Sequence, residues 1–291
     1  MSAALQPAPV PTEAKPPTGT LPRPHAPSAA FWRSIGGYAF AALMSLVFLT
    51  GALRLWRTSL DVPFGYGGDH AYYLRLVKNV IDTGWYDRAD RVGQPGGMDL
   101  REFPVSDGWL HWLLIKAIAA VRPDPFFALN VFFLLGFPLT TLAMLFVSRR
   151  LGVAYAPALV VALLYAFLPY HFQRLGHPFL AAYYLVPVSV WFAVRIWQGK
   201  LPFRSADGGR WRLLSWSAVG TCLAGVLIGW GGVYYAFFTG FFLAAAGAAR
   251  AGQTRKWAPA VAAAALVGVI LAAQAVSLTP AILYRLGEPR N

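Results

Sequence analysis

Gly67-Gly68-Asp69-His70-Ala71-Tyr72-Tyr73-Leu74-Arg75-Leu76-Val77-Lys78-Asn79-Val80-Ile81-Asp82-Thr83-Gly84-Trp85-Tyr86 is a polar stretch in an otherwise apolar chain. It lies between Arg57 and Pro125, a region that holds nine of the twelve acidic residues. Tyr73, Leu76, Val77 and Val80 recur at helical spacing, so 69–82 is predicted to be a helix with one apolar face. Asp69 after two glycines suits the N-cap, and Gly84 suits the terminating position. A helix this short and polar is expected to lie in the membrane interface rather than to cross. Arg75, Lys78 and Asn79 are expected to project together from its other side, with Tyr72 one turn before Arg75.

A second polar segment, Asp99-Leu100-Arg101-Glu102-Phe103-Pro104-Val105-Ser106-Asp107-Gly108-Trp109-Leu110-His111, follows a turn-rich crossing built on Gly93, Pro95, Gly96 and Gly97. It leads into a second predicted amphipathic helix, from Ser106 or Asp107 to Val121, ended by Pro123 and Pro125. Its apolar face would use Trp109, Trp112, Leu113, Leu114 and Ile115, with His111 and Lys116 off that face. If the two helices lie side by side, Asp69, Asp99, Glu102 and Asp107 are expected to converge on one membrane-facing cleft.

Composition sets the frame for this loop. The chain has 291 residues, 57% hydrophobic and only 13% charged, and its mean hydropathy is +0.49. Soluble domains carry about 25% charged residues, so these values place the chain among polytopic membrane proteins. The single cysteine, Cys222, excludes an intrachain disulfide and a cysteine metal site, and reads as a small buried residue. Residues 1–30 are rich in Pro, Ala, Ser and Thr and are expected to form a disordered tail.

Seven apolar runs follow, near 35–56, 126–148, 153–170, 178–197, 213–230, 232–249 and 257–280. About 20 apolar residues cross a hydrocarbon core, so the expected fold is an all-α polytopic membrane protein with about seven spans and two interfacial helices in the first outer loop, 57–125. The fifth and sixth runs are divided by Trp230-Gly231-Gly232, which reads as a hairpin turn. Ten Lys and Arg (Arg149, Arg150, Arg195, Lys200, Arg204, Arg210, Arg212, Arg250, Arg255 and Lys256) fall in the short loops of one side, against Arg174 alone on the other. By the positive-inside rule the N-terminal tail is cytoplasmic, and the acidic loop and C-terminus are outside.

The net charge of +13 is then explained by membrane orientation, and no nucleic-acid partner is expected. Trp32, Trp56, Trp197, Trp211, Trp230 and Trp257 lie near span ends, where an interfacial belt is expected. The spans are nearly free of ionisable groups, which weighs against an ion-coupled carrier. Gln274 in the last span reads as an interhelical hydrogen-bonding group.

Ordinary roles exist for each polar residue of the loop. Asp69 and Asp107 serve as helix caps, Arg75 and Lys78 meet anionic headgroups, and His70 and His111 are interfacial side chains. Asp82, Asp87, Asp90 and Asp124 read as solvated charges.

The order of one span, a long loop with two interfacial helices and further spans resembles the GT-C superfamily of integral-membrane glycosyltransferases. The likeness is to the oligosaccharyltransferases, protein mannosyltransferases and aminoarabinose transferases of that superfamily. It is carried by Gly68-Asp69 followed by Tyr72, Tyr73 and Arg75, by Thr83-Gly84-Trp85-Tyr86, and by the segments 99–111 and 163–187, which resemble bacterial members without an assigned substrate. The resemblance spans the module 31–285 and implies transfer of a sugar from a polyprenyl-phosphate donor to an acceptor on the outer face of the cytoplasmic membrane, with inversion.

Asp69 is then the expected general base. Arg75 and Lys78, with Arg174, His171 and His177 in the next outer loop, are the expected partners of the lipid phosphate, whose charge grows as it leaves. Asp99, Glu102 and Asp107 are the acidic candidates should a divalent cation take part. Superfamily members continue beyond the seventh span, so residues 286–291 are expected to be a truncated outer end, that of a fragment, a truncated gene product or a minimal module. A transporter or lipid flippase is the alternative of another class, and a non-catalytic assembly subunit is a third.

Overall fold

A computed structural model describes residues 29–90, 93, 95–101, 108–205 and 210–287. Residues 1–28 of the predicted tail, Glu102, Ser106, Asp107 and the last four residues lie outside the described residues, and residues 29 and 30 belong to a helix rather than to a tail. The described chain is an all-α membrane protein. Four of its helical stretches, Ser34–Leu53, Pro125–Arg150, Tyr155–Gln173 and Ala258–Gly287, are long and apolar enough to cross a membrane.

The helix α1 (Ala29–Leu53) ends in a 3-10 turn, Leu55–Arg57. Next come α2 (His70–Thr83), a two-residue hairpin of β1 (Arg88–Ala89) and β2 (Met98–Asp99), and α3 (Trp109–Val121). The hairpin is antiparallel, with Arg88 opposite Asp99 and Ala89 opposite Met98.

The helix α4 (Pro125–Arg150) is the central mast, packed on α1, α2, α3, α5 and α8. Its start is built by Asp124, whose carboxylate accepts from the Phe127 amide at 2.7 Å, with Pro125 in the first turn. Asp124 is therefore a cap, not the solvated charge expected of it. Buried polar pairs fix its neighbours: Thr141 donates to Ser45 on α1 at 3.2 Å, and Tyr155 donates to the Gly37 carbonyl at 2.6 Å.

The third and fourth apolar runs are interrupted. Proline sets each new start, because it lacks the N–H that continues a helix and suits a first turn. α5 (Tyr155–Ala166) gives way to α6 (Pro169–Gln173), α7 (Pro178–Ala181) and α8 (Val186–Trp197). The run 178–197 is thus one short turn and a separate twelve-residue helix.

The last three helices, α9 (Trp216–Trp230), α10 (Val233–Thr254) and α11 (Ala258–Gly287), form a tight group. The turn between α9 and α10 is the expected one, and Gly232 takes φ 112° there. Their closeness depends on glycine. A Cβ at Gly229 would stand 2.6 Å from the Ile270 carbonyl oxygen, and one at Gly247 would stand 2.6 Å from the Ala263 Cβ. Gln274 bonds within its own helix, to Ser277 at 3.4 Å, rather than to a neighbouring helix. Trp56, Trp197, Trp211 and Trp257 are exposed, whereas Trp230 is turned inward and donates to the Ala273 carbonyl at 3.0 Å.

The two loop helices pack side by side against α4. Leu76, Val77 and Val80 of α2 meet Trp112 and Ile115 of α3 and Leu129 and Phe132 of α4, and Tyr86 stacks on Trp112 at 4.6 Å. Gly84 ends α2 at φ 89°, as its position predicts. Lys116 of α3 donates to the Gly84 carbonyl at 2.8 Å, which satisfies an orphan acceptor at that helix end.

Two side chains depart from the expected faces. Asn79 is buried and donates to the Trp85 carbonyl at 3.2 Å and to the Arg88 carbonyl, so it holds the hairpin instead of projecting with Arg75. His111 is fully buried among Phe132, Phe179 and Tyr184, on the same stripe as Trp112, Ile115 and Ala119. Apolar burial pushes its imidazole down to about 3. Leu113, assigned to the apolar face, is exposed.

Candidate functional site

The site forms where the segment before α2 meets the turn between α6 and α7. Asn130, buried in the first half of α4, holds the incoming strand of chain. Its Nδ2 donates to the Leu60 carbonyl at 2.9 Å and the Val62 carbonyl at 2.8 Å, and its Oδ1 accepts from the Phe64 amide at 3.3 Å. Beyond this hook the backbone reaches Gly65, Gly67 and Gly68.

Across from it runs Arg174-Leu175-Gly176-His177. The two backbones touch: a Cβ at Gly176 would stand 3.0 Å from the Gly67 oxygen, and Gly68 turns at φ 61° with its own Cβ position 3.4 Å from the Gly176 oxygen. A side chain at Gly176 would crowd this approach, and Gly68 needs the left-handed conformation that glycine adopts freely.

Two bonds cross the junction. Buried His70 donates from Nδ1 to the Leu175 carbonyl at 3.1 Å, since a carbonyl can only accept. Asp69 Oδ2 meets His177 Nδ1 at 3.0 Å. Asp69 occupies the N-cap position of α2 but makes no side-chain cap bond. Its carboxylate is 59% exposed and His177 is 38% exposed, so the pair is open to a substrate. When Asp69 is ionised it accepts from Nδ1–H, which leaves Oδ1 and the imidazole Nε2 as two basic atoms side by side. Such a pair can take a proton from a hydroxyl.

The other expected site residues divide sharply. Arg174 lies three residues from His177, half-buried, with its guanidinium 5.2 Å from the Tyr170 ring centroid. It is the cation on the same turn as the dyad. Arg75 is turned to the hairpin, donating to the Met98 sulfur at 2.6 Å and lying 5.0 Å from the Tyr72 ring centroid. Burial raises the Tyr72 hydroxyl, and the neighbouring Arg75 offsets part of this. Lys78 pairs with Asp82 one turn on, at 2.5 Å. These two cations line a cavity of about 440 Å³ with Asn79, Thr83 and Asp90, under the hairpin and away from the Asp69 end of α2.

His171, expected to face a phosphate, is instead enclosed. Its ring stacks on Phe137 at 3.7 Å, its Nδ1 bonds the Ala166 carbonyl at 3.0 Å, and Gly136 leaves the space it fills. It is a packing element because α6 rolls its one polar ring against α4.

Asp99 does not converge with Asp69. Asp99 accepts from Arg101 Nε at 2.8 Å and lies 3.9 Å from Arg88. Arg88 is bound to Asn79, nearly three turns along α2 from Asp69. The hydrogen bonds from Arg101 hold the Asp99 carboxyl below its usual range. A carboxylate engaged by two arginines does not fit a divalent cation, and among the described residues no three His, Cys, Asp or Glu side chains gather at metal-binding distance. Glu102 and Asp107 lie outside the described residues.

Sequence reasoning missed Asn130 and the Asp69–His177 bond. The first had a signal, an amide inside an apolar helix; the second joins residues more than a hundred positions apart. Residues 110–284 match the model of the family described as a domain of unknown function, DUF6311, and the chain belongs to that family. The matched segment contains Arg174 and His177, whereas Asp69 precedes it. No curated protein and no solved structure matches the chain.

Proposed function

We propose that the chain is a GT-C-type inverting glycosyltransferase of the cytoplasmic membrane, moving a sugar from a polyprenyl-phosphate donor to an acceptor hydroxyl on the outer face. The observation that carries this reading is the open Asp69–His177 pair with Arg174 on the same turn. The acceptor oxygen forms a bond to the anomeric carbon as the bond from that carbon to the lipid phosphate breaks. The hydroxyl proton goes to the Asp69–His177 pair, and the leaving phosphate takes the electron pair beside Arg174. The pair is the catalytic group, and Arg174 replaces Arg75 and Lys78 as the first phosphate partner.

The topology that suits this chemistry has α1, α4, α5 with α6, α7 with α8, α9, α10 and α11 crossing, and α2 and α3 lying in the outer interface. In that orientation Arg149, Arg150, Arg195, Arg250, Arg255 and Lys256 are cytoplasmic. The test is transfer of radiolabelled sugar from polyprenyl-phosphate donors by the full chain in nanodiscs. Asp69→Asn and His177→Ala are each expected to slow turnover by about 100-fold or more, the scale of a lost general base. Unchanged turnover of Asp69→Asn in a demonstrably active preparation refutes the assignment.

A further inference from the structure

At the Asp69 end of α1 the chain reverses through Arg54, in left-handed backbone at φ 51°, and makes the 3-10 turn that ends at Arg57. This turn closes over a cavity of about 590 Å³. Its floor is apolar, with Phe64, Phe133 and Phe172; its rim is polar, with Arg57, Thr58 and Ser59.

Charge makes the rim selective. Arg57 is exposed and makes no ion pair or side-chain hydrogen bond among the described residues. Asp61, the acid nearest to it in sequence, is taken by Arg122 at 2.7 Å. Among the described residues no carboxylate lines the cavity, so its mouth carries a positive charge without an ion-pair partner there. Ser59 Oγ accepts from the Asp61 amide at 3.2 Å, which leaves its own hydrogen to be donated. A cation and a hydroxyl donor over an aromatic floor recognise an amphiphile that bears an anionic oxygen group.

Position identifies the amphiphile. The face of α1 in line with Leu53, which lines the cavity, exposes Leu43 and Leu46, each about half exposed, on a helix long and apolar enough to cross a membrane. Trp56 and Tyr66 stand exposed beside the mouth, at 64% and 74%, as belt residues do at headgroup depth. A free phosphate ion would use the rim and leave this apolar path empty.

We propose that the cavity binds the phosphate headgroup of an anionic membrane phospholipid, with an acyl chain laid along α1. Leu175 links it to the dyad. Its side chain lines the cavity, and its carbonyl holds His70 beside Asp69. Occupancy therefore braces the turn that carries His177. The binding itself stands independently of the transferase reading.

The probe is phosphatidylglycerol. Full-length protein is released from nanodiscs of mixed phosphatidylglycerol and phosphatidylcholine into native mass spectrometry. One phosphatidylglycerol is expected to stay bound at activation energies that strip phosphatidylcholine. Arg57→Gln is expected to lower that retention about tenfold, the scale of one charge-assisted hydrogen bond. Arg88→Gln, which removes an equal charge whose acid partner Asp99 stays held by Arg101, and Asp69→Asn are expected to retain the lipid. Equal retention of the two lipids, an unaffected Arg57→Gln, or an equal loss in Arg88→Gln overturns the proposal. Displacement of the lipid by millimolar inorganic phosphate overturns the lipid assignment in favour of a bare anion site.

Discussion

Replacing Asn130 with alanine tests how the site is held. Asn130 makes three hydrogen bonds to the backbone of Leu60, Val62 and Phe64, across nearly seventy residues of sequence. At about 1 kcal/mol net for each bond the direct loss is about 3 kcal/mol. Val62 is half exposed, so water recovers part of the stranded carbonyl bonding, and about 2–3 kcal/mol is the expected cost. The loss falls on the loop rather than on the bundle, because α4 keeps its packing on α1 and α5. Local opening is then favoured by about 30- to 140-fold, at 1.4 kcal/mol per decade. Hydrogen–deuterium exchange of the protein in nanodiscs should show this acceleration at the Phe64 amide, the one that donates to Oδ1. Thr141→Ala on the same helix, which removes only the bond to Ser45, should leave the Phe64 amide as it was. Unchanged exchange at Phe64 in Asn130→Ala would show that the hook does not hold the loop.

Other consequences follow from single contacts. Gly176→Val places a Cβ 3.0 Å from the Gly67 oxygen and forces the two loops apart; a loss of about 1–3 kcal/mol in thermal unfolding, with faster exchange at residues 66–70, is expected. Gly229→Ala is more severe, since its Cβ would stand 2.6 Å from the Ile270 oxygen. It should lower the melting temperature in detergent while leaving exchange at Phe64 unchanged. His111 is held neutral when folded, at about 3 against about 6.5 when unfolded. Between those values the unfolded state binds more protons, so stability falls as pH drops from about 6.5 towards 3, by at most about 5 kcal/mol. His111→Phe should flatten that part of the melting-temperature profile. Asp99 is also depressed when folded, so the support it gives the hairpin is present above its unfolded value and fades as pH falls through its lowered one. Arg101→Gln should reduce the acid sensitivity of the hairpin amides in that range, while the Arg101 backbone N–H and Arg88 keep part of it.

The α2 helix shows how much of the fold is legible in the amino-acid sequence alone. The spacing of Leu76, Val77 and Val80 and the glycine at 84 determine a short amphipathic helix and its end, because both are local effects of period and backbone conformation. The continuous apolar runs of about 20 residues likewise point to an all-α membrane protein, since only helices or closed barrels satisfy backbone groups in lipid and barrel strands are short and alternating. Faces are harder to read. His111 and Asn79 are polar by type but buried by position, because the stripe that meets α4 and the hairpin includes them whatever their polarity.

The candidate site divides the same way. Asp69 stands out in sequence through its glycines and its place at the start of a polar helix. Its partner depends on where α6 and α7 turn, and prolines 169 and 178 mark those starts without saying what they face. Asp99, Arg75 and Lys78 share the loop with Asp69, and the sequence leaves their partners open. Tertiary structure alone assigns each a separate partner, because an ion pair or a sulfur contact depends on distances that sequence spacing leaves free. His177, more than a hundred residues away, is brought to Asp69 because Gly68 and Gly176 let the two backbones touch.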